Sequence, residues 1–356
     1  MAEHDPAEAR SRGPESHTNA TVLICTYNRA ERLAETLDSL ARTVAPHLRW
    51  EVIVVDNNST DCTRAVVRSR AAEYPVPLHY LFESRQGKSH ALNLGLASTD
   101  ADIVAFTDDD VRVPSEWLMA ACQPLLDDRT VDYTGGPVQP IWEIPCPTWV
   151  GRCSSELWGA LAILDYGADA FCFEDRQRVP VGANMAVRRS LTARIGGFYT
   201  GLGRRGGTLL GQEQAEFFYR SRAAGARGRY VPAMTLEHHV PAHRLSREYF
   251  RRWWYWKGIS RFLLEQLHPV TELGVDLTDT PHVAGIPRFM LGSAVRSAAG
   301  WIAASCTGDV IVRARHEMML CYFGGYFKAA SAQRLKRPSN VPAYPAPHRN
   351  GKTFHA

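Results

Sequence analysis

The chain has 356 residues, 45% hydrophobic and 22% charged, with a formal net charge of +4. That balance fits a folded domain of some size with an appendage, and excludes a disordered or fibrous chain. The small net charge implies no nucleic-acid partner, and 36 arginines against 5 lysines favour the side chain that recognises phosphate and carboxylate.

Residues 1–20 are polar without an apolar core, which reads as a disordered tail and not a secretory signal. Residues 21–26 (TVLICT) are expected to form a first strand, and residues 30–43, with Leu33, Leu37 and Leu40 at helical spacing, a helix. A second strand is expected at 51–55. The polar cluster from Asp56 to Asp61 then supplies caps for a helix reaching Tyr74. A third strand (78–82), a helix (88–96) and a fourth strand (103–107) complete an alternation that predicts an α/β fold with a parallel sheet and right-handed crossovers.

The fourth strand, Ile103-Val104-Ala105-Phe106-Thr107, runs straight into Asp108, Asp109 and Asp110. An uninterrupted apolar run reads as a buried parallel strand, and ligands in open α/β sheets sit outside the carboxyl ends of strands. Three adjacent carboxylates there repel one another. A hard divalent cation, Mg²⁺ or Mn²⁺, relieves that repulsion, whereas a solvated acidic turn is the bland alternative.

Regular alternation then stops. Residues 135–178, rich in Trp, Pro and Cys, read as irregular substrate-side structure; order resumes at 182–190, and 196–211 is dense in glycine. Residues 247–266 mix arginine with Trp253, Trp254 and Trp256. They read either as a helix lying in a lipid interface or as a packed helix covering the sheet or a dimer interface. The apolar stretch 318–327 is too short to span a bilayer, and 286–306 is interrupted by Arg288 and Arg296. The eight cysteines form no CxxC pair, which predicts free thiols in a reducing compartment and no zinc site. The last twenty residues are Pro-rich and basic, as disordered tails are.

Two motifs mislead. Gly87-Lys88-Ser89 lacks the earlier glycine of a phosphate-binding P-loop, Phe82 standing there. Gly201-Leu202-Gly203-Arg204-Arg205-Gly206 fits GxGxxG but follows no strand, so it reads as a loop whose arginines are able to meet phosphate.

The remaining motifs form an ordered set. Cys25-Thr26-Tyr27-Asn28-Arg29 and Val55-Asp56-Asn57-Asn58-Ser59 close the first two strands. Gly87-Lys88, the triple aspartate, Gly182-Ala183-Asn184, Gly211-Gln212-Glu213-Gln214-Ala215-Glu216 and Leu236-Glu237-His238-His239 follow. In this order, over roughly residues 20–260, the chain resembles the inverting nucleotide-sugar glycosyltransferases of family 2, with the GT-A fold. The resemblance implies a tail (1–19), a GT-A domain (20–245), a helical, membrane-associating region (246–335) and a second tail (336–356). It implies that Thr26, Tyr27, Asp56, Lys88, Asp108, Asp109 and Asn184 bind the donor, a UDP- or GDP-sugar, with Thr26 and Asp56 at the nucleobase. Asp110, with Asp108 and His238, would hold Mg²⁺ or Mn²⁺. Glu213 is the first choice for the general base and Glu216 the second, because Gln214 replaces the aspartate of the family's acidic pair. Arg220 reads as an ion-pair partner or a phosphate contact. The acceptor expected is a lipid-linked or polysaccharide glycan at the cytoplasmic face of the membrane. The alternatives are a soluble small-molecule acceptor and, because of Gln214, a nucleotide-sugar binding protein with impaired catalysis.

Overall fold

The computed structural model describes residues 18–151, 155–174, 178–271 and 276–335, so most of both expected tails lies outside the described residues. Strands and helices alternate from the start: β1 (Ala20–Thr26), α1 (Ala30–Leu40), β2 (Trp50–Asp56), α2 (Thr63–Ala71), β3 (Leu78–Phe82), α3 (Lys88–Ala97) and β4 (Ile103–Thr107). The four strands lie in the order β3-β2-β1-β4, all parallel.

The strand sequences are continuous apolar runs because both faces are covered. Val22, Ile24, Val52 and Val54 join Leu33, Leu37 and Leu40 of α1 in one core; Leu23, Ile53, Val55 and Phe106 join Ala91 and Leu92 of α3 in the other. Full burial stabilises each such side chain by about 1.5–3 kcal/mol, more than the ~1 kcal/mol range of strand propensity, so two-sided packing fixes the layout. Two helices end earlier than their spacing predicts. After Leu40 the amides of Arg42 and Thr43 turn to carbonyls three residues back. Tyr74 leaves the line of α2, and its hydroxyl donates to the Leu37 carbonyl at 2.7 Å.

Beyond the triple aspartate come β5 (Val111–Arg112), α4 (Trp117–Asp127), β6 (Tyr133–Gly135), β7 (Val138–Trp142), α5 (Thr148–Gly151), α6 (Ser155–Trp158), β8 (Phe171–Cys172), β9 (Asn184–Arg188), α7 (Arg189–Ile195), α8 (Glu213–Ala223), β10 (Gly228–Tyr230) and β11 (Leu236–Val240). β9 pairs antiparallel with β4, and β6, β10 and β8 extend the main sheet to eight strands. β5, β11 and β7 form a second sheet of three. The expectation of irregular structure over 135–178 therefore needs correcting at β7, a regular parallel partner of β11. Among the described residues no cysteine forms a disulfide; Cys153 lies outside them.

The chain ends in α9 (Arg247–Leu267), β12 (His282–Val283), β13 (Ile286–Pro287), α10 (Arg288–Thr307) and α11 (Val310–Leu335). α9 is a packed helix. Phe250 and Trp254 are buried with Val240, Leu245 and Met318, and the Lys257 ammonium sits 4.7 Å from the Trp254 ring centre. Arg261 pairs with Glu265 at 2.8 Å inside the bundle, and the Tyr326 hydroxyl donates to the same carboxylate. The backbones of α9 and α11 meet at two glycines. A Cβ on Gly258 would lie 2.0 Å from the Tyr322 carbonyl oxygen, and one on Gly325 would lie 1.9 Å from that of Tyr255. Among the described residues no helix is long and apolar enough to cross a membrane.

That crossing sets a prediction: Gly258→Ala forces the helices apart and lowers stability by about 1–3 kcal/mol, read as a fall in the urea midpoint with unchanged slope. An unchanged midpoint would show that the crossing is not close-packed.

Candidate active site

The carboxyl ends of β1, β2 and β4 open together on one cavity of about 520 Å³. β1 delivers Thr26 and Tyr27, β2 delivers Asn57, and β4 delivers the three aspartates. Asn57 fastens the floor. Its amide donates to the Arg85 carbonyl at 2.8 Å and accepts from the Gly87 amide at 2.8 Å, holding the loop that leads into α3. Lys88, the first residue of α3, reaches Asp108 at 2.7 Å.

The second sheet supplies the other half. β11 pairs antiparallel with β5, the strand directly after Asp110, setting His238 opposite Val111. The His239 amide donates to the Asp110 carbonyl at 2.9 Å, and His238 Nε2 stands 3.2 Å from Asp110 Oδ1. One ligand atom from each of Asp108, Asp110 and His238 lies within 4.8 Å of the others. His238 is buried, and its Nδ1 has no hydrogen-bond partner. Two carboxylates and an imidazole converging in a buried pocket fit a Mg²⁺- or Mn²⁺-class cation.

Cationic side chains hold the same carboxylates. Arg29 bridges Asp109 at 3.0 Å and Asp110 at 2.6 Å, and Arg244 lies 3.8 Å from Asp110. Burial by itself raises all three carboxyls. At Asp108 it is outweighed by Lys88, and the carboxyl is held below its ordinary value. At Asp110 burial is outweighed by His238, with Arg29 and Arg244 adding to it, and the carboxyl falls well below. At Asp109 burial prevails over Arg29, and the value stays raised. Burial pushes the neighbouring Cys25 thiol up to about 12, so it is no nucleophile at neutral pH.

The far wall comes from Gly159 and Ala160, the loop at 204–209, and His243, Tyr249 and Arg252 around the start of α9. The glycine-rich loop that mimics a dinucleotide fingerprint lies over α3: the Ser89 hydroxyl donates to the Leu202 carbonyl, and Arg204 lines the cavity. Gly203 has φ +96°, and a Cβ there would meet Ser89 Oγ at 2.8 Å, so the loop closes only on glycine.

The structure thus brings Thr26, Tyr27, Lys88, Asp108, Asp109, Asp110 and His238 to one cavity. Asp56 is buried just behind the wall, where its carboxylate accepts from the Ser59 amide and the Tyr80 hydroxyl, both at 2.8 Å. Asn184 stands outside the cavity lining: it is wholly buried, its oxygen accepts from Trp117 Nε1, and its amide donates to the Pro137 and Met234 carbonyls, which ties β9 to the second sheet. Glu216 also stands outside the cavity lining, with Arg220 at 2.7 Å and His268 at 3.0 Å holding both its oxygens in an ion cluster. Arg220 also donates to the Ile195 and Gly197 carbonyls, which accounts for it without a phosphate. Glu213, on the first turn of α8, is buried against Gly203; Lys88 feels its charge, but it is not part of the cavity lining. The Gln214 amide lies against Gly182.

Arg29, Arg244, His243 and Arg252 were not assigned from the sequence. Arg29 lies inside the first-strand motif, three residues past Thr26, which is a usable signal. The other three follow β11 in a segment whose arginine richness hid them.

Residues 21–196 match the family model described as glycosyl transferase family 2. The chain is 29% identical over 261 residues to the succinoglycan biosynthesis protein ExoM of Rhizobium meliloti, covering 72% of this chain and 78% of that one. It is 24% identical over 260 residues to the glucosyl-dolichyl phosphate glucuronosyltransferase of Haloferax volcanii, covering 70% and 78%. Among solved structures it is similar to the mannosyltransferase PcManGT from Pyrobaculum calidifontis in complex with GDP-Man and Mn²⁺, with a TM-score of 0.55 and 22% identity over 91% of this chain and 89% of that one.

The Glu216 cluster gives a pH prediction. Burial raises this carboxyl, but His268 and Arg220 outweigh it and hold it below its ordinary 4.5. Its stabilisation is therefore complete above that value and lost as pH falls through the lower folded value. Glu216→Gln is expected to cost about 1–3 kcal/mol at neutral pH by urea unfolding. The deficit should shrink as pH falls through that lowered folded value, where the wild-type carboxyl protonates as well. A deficit that does not change with pH would remove the charge from the explanation.

Proposed function

The chain belongs to glycosyltransferase family 2 and is a glycosyltransferase; from this site we propose that it is a metal-dependent, inverting enzyme that takes a sugar from a UDP- or GDP-sugar to a hydroxyl of a glycan. The observation that carries the reading is the convergence of Asp108, Asp110 and His238 at the strand ends, inside a cavity that also holds Lys88 and Arg29. Asp108, Asp110 and His238 would hold Mg²⁺ or Mn²⁺, which when bound neutralises the diphosphate of the leaving group. Thr26, Tyr27 and Asn57 line the cavity where a nucleoside would rest, with Asp56 behind them, and Lys88 and Arg244 would face the phosphates.

In the transfer, the acceptor hydroxyl gives its proton to a carboxylate, and its oxygen attacks the anomeric carbon from the face opposite the diphosphate. The carbon–oxygen bond to the diphosphate breaks, and the nucleoside diphosphate leaves with the electron pair. Glu213 is the base we assign, since the neutral amide of Gln214 is too weakly basic to take a proton and Glu216 is tied to Arg220 and His268. The acceptor would enter by the far wall, between Ala160, His243 and Tyr249. A glycan acceptor is supported by relatives named for succinoglycan biosynthesis and for a glucosyl-dolichyl phosphate.

Calorimetry with Mn²⁺ and a set of UDP- and GDP-sugars tests the donor site. One donor should bind only with metal, and Asp110→Asn should abolish that binding while the protein stays folded. Binding without metal, or undiminished in the variant, would overturn the metal assignment. Glu213→Gln should bind the same donor normally and lose about 10²- to 10⁴-fold in kcat. Normal turnover in that variant would move the base to another residue.

A further inference from the structure

Seven of the twelve large hydrophobic side chains that stand exposed among the described residues fall between Val283 and Val312. Most lie on α10 and the first turn of α11. α10 is apolar on two opposite faces. Met290, Ala294 and Ser297 turn inward with Ala304, and Phe262, Phe323 and Tyr326 from the other two helices complete that cluster. Val295, Ala299, Ile302 and Cys306 recur at i, i+4, i+7 and i+11 on the opposite side, all exposed, with Val295 at 70% and Ile302 at 57%. A stripe of this kind on a water-facing helix needs a partner.

Charge selects the partner. From Arg288 to His316 there are four arginines and a single acidic residue, Asp309. We infer that the outer face of α10, continued by the start of α11, docks on a lipid surface carrying anionic headgroups. The apolar stripe would enter the acyl boundary, and Arg288 and Arg296 would meet the headgroups. A second copy of the chain is the poorer partner, because it would bring the same excess of arginine to this face. The Trp-rich α9 is not this surface, since Trp254 is 7% exposed and packed against the bundle. The inference needs nothing of the sugar chemistry, so its test contains no donor or acceptor.

The full chain is sedimented with vesicles of phosphatidylcholine alone and of phosphatidylcholine mixed with phosphatidylglycerol. Binding to the mixed vesicles should be about tenfold tighter or more, and should weaken as salt is raised. Val295→Glu with Ile302→Glu should lose about tenfold or more on the mixed vesicles. Val44→Glu, at an exposed apolar residue of the sheet domain, should bind as wild type. Arg296→Glu, at an exposed position, is the second variant should the double one fail to fold. The inference falls if the folded wild type binds neither vesicle, if phosphatidylglycerol makes no difference, or if the substitutions leave binding intact. It falls equally if the chain sediments as a dimer that the same substitutions dissociate, which would make this face a contact between copies.

Discussion

Everything at the mouth of this sheet follows from the difficulty of burying Asp108, Asp109 and Asp110 together. Carboxylates lose hydration at such a place and repel one another, so each must find a positive or hydrogen-bonding partner. The partners arrive from four directions: Arg29 from the start of α1, Lys88 from the start of α3, His238 from β11 and Arg244 just after it. The two sheets are therefore joined by electrostatics at the site as well as by strand pairing. Charges of both signs gathered in one pocket are also what a phosphorylated donor with a bound cation requires, so the demands of stability and of chemistry are met by the same side chains.

The parallel half of the fold was legible because its strands are continuous apolar runs and α1 carries leucines at helical spacing. The triple aspartate was legible because a run of like charge after an apolar strand has few stable explanations. What could not be read was long-range placement. Nothing near His238 says that β11 will lie against β5, more than a hundred residues earlier. Asn184 and Glu216 stand apart from the cavity for a related reason. Both stand in motifs of the family, but burial turned one into a bracket between sheets and the other into an ion cluster with His268, a residue that no local pattern connects to it.

The helical end was legible in composition and not in geometry. Arginine and tryptophan in α9 left a lipid-facing helix and a packed one equally open; Phe250 and Trp254 pack into the bundle, and Tyr249 and Arg252 line the cavity. The exposed stripe is on α10, whose small side chains attract less notice in a sequence. A helix that is apolar on both faces gives a weak periodic signal, because its inward and outward stripes cancel.

The glycine crossing of α9 and α11 has a mechanical consequence. Where main chain touches main chain there is no side chain to change rotamer and absorb a displacement. The two helices are geared together at Gly258 and Gly325, two turns along α9 from the arginine and tyrosine that face the cavity. A shift of α11 along that contact therefore carries the start of α9 with it, and the shape of the far wall is tied to the posture of the C-terminal helices.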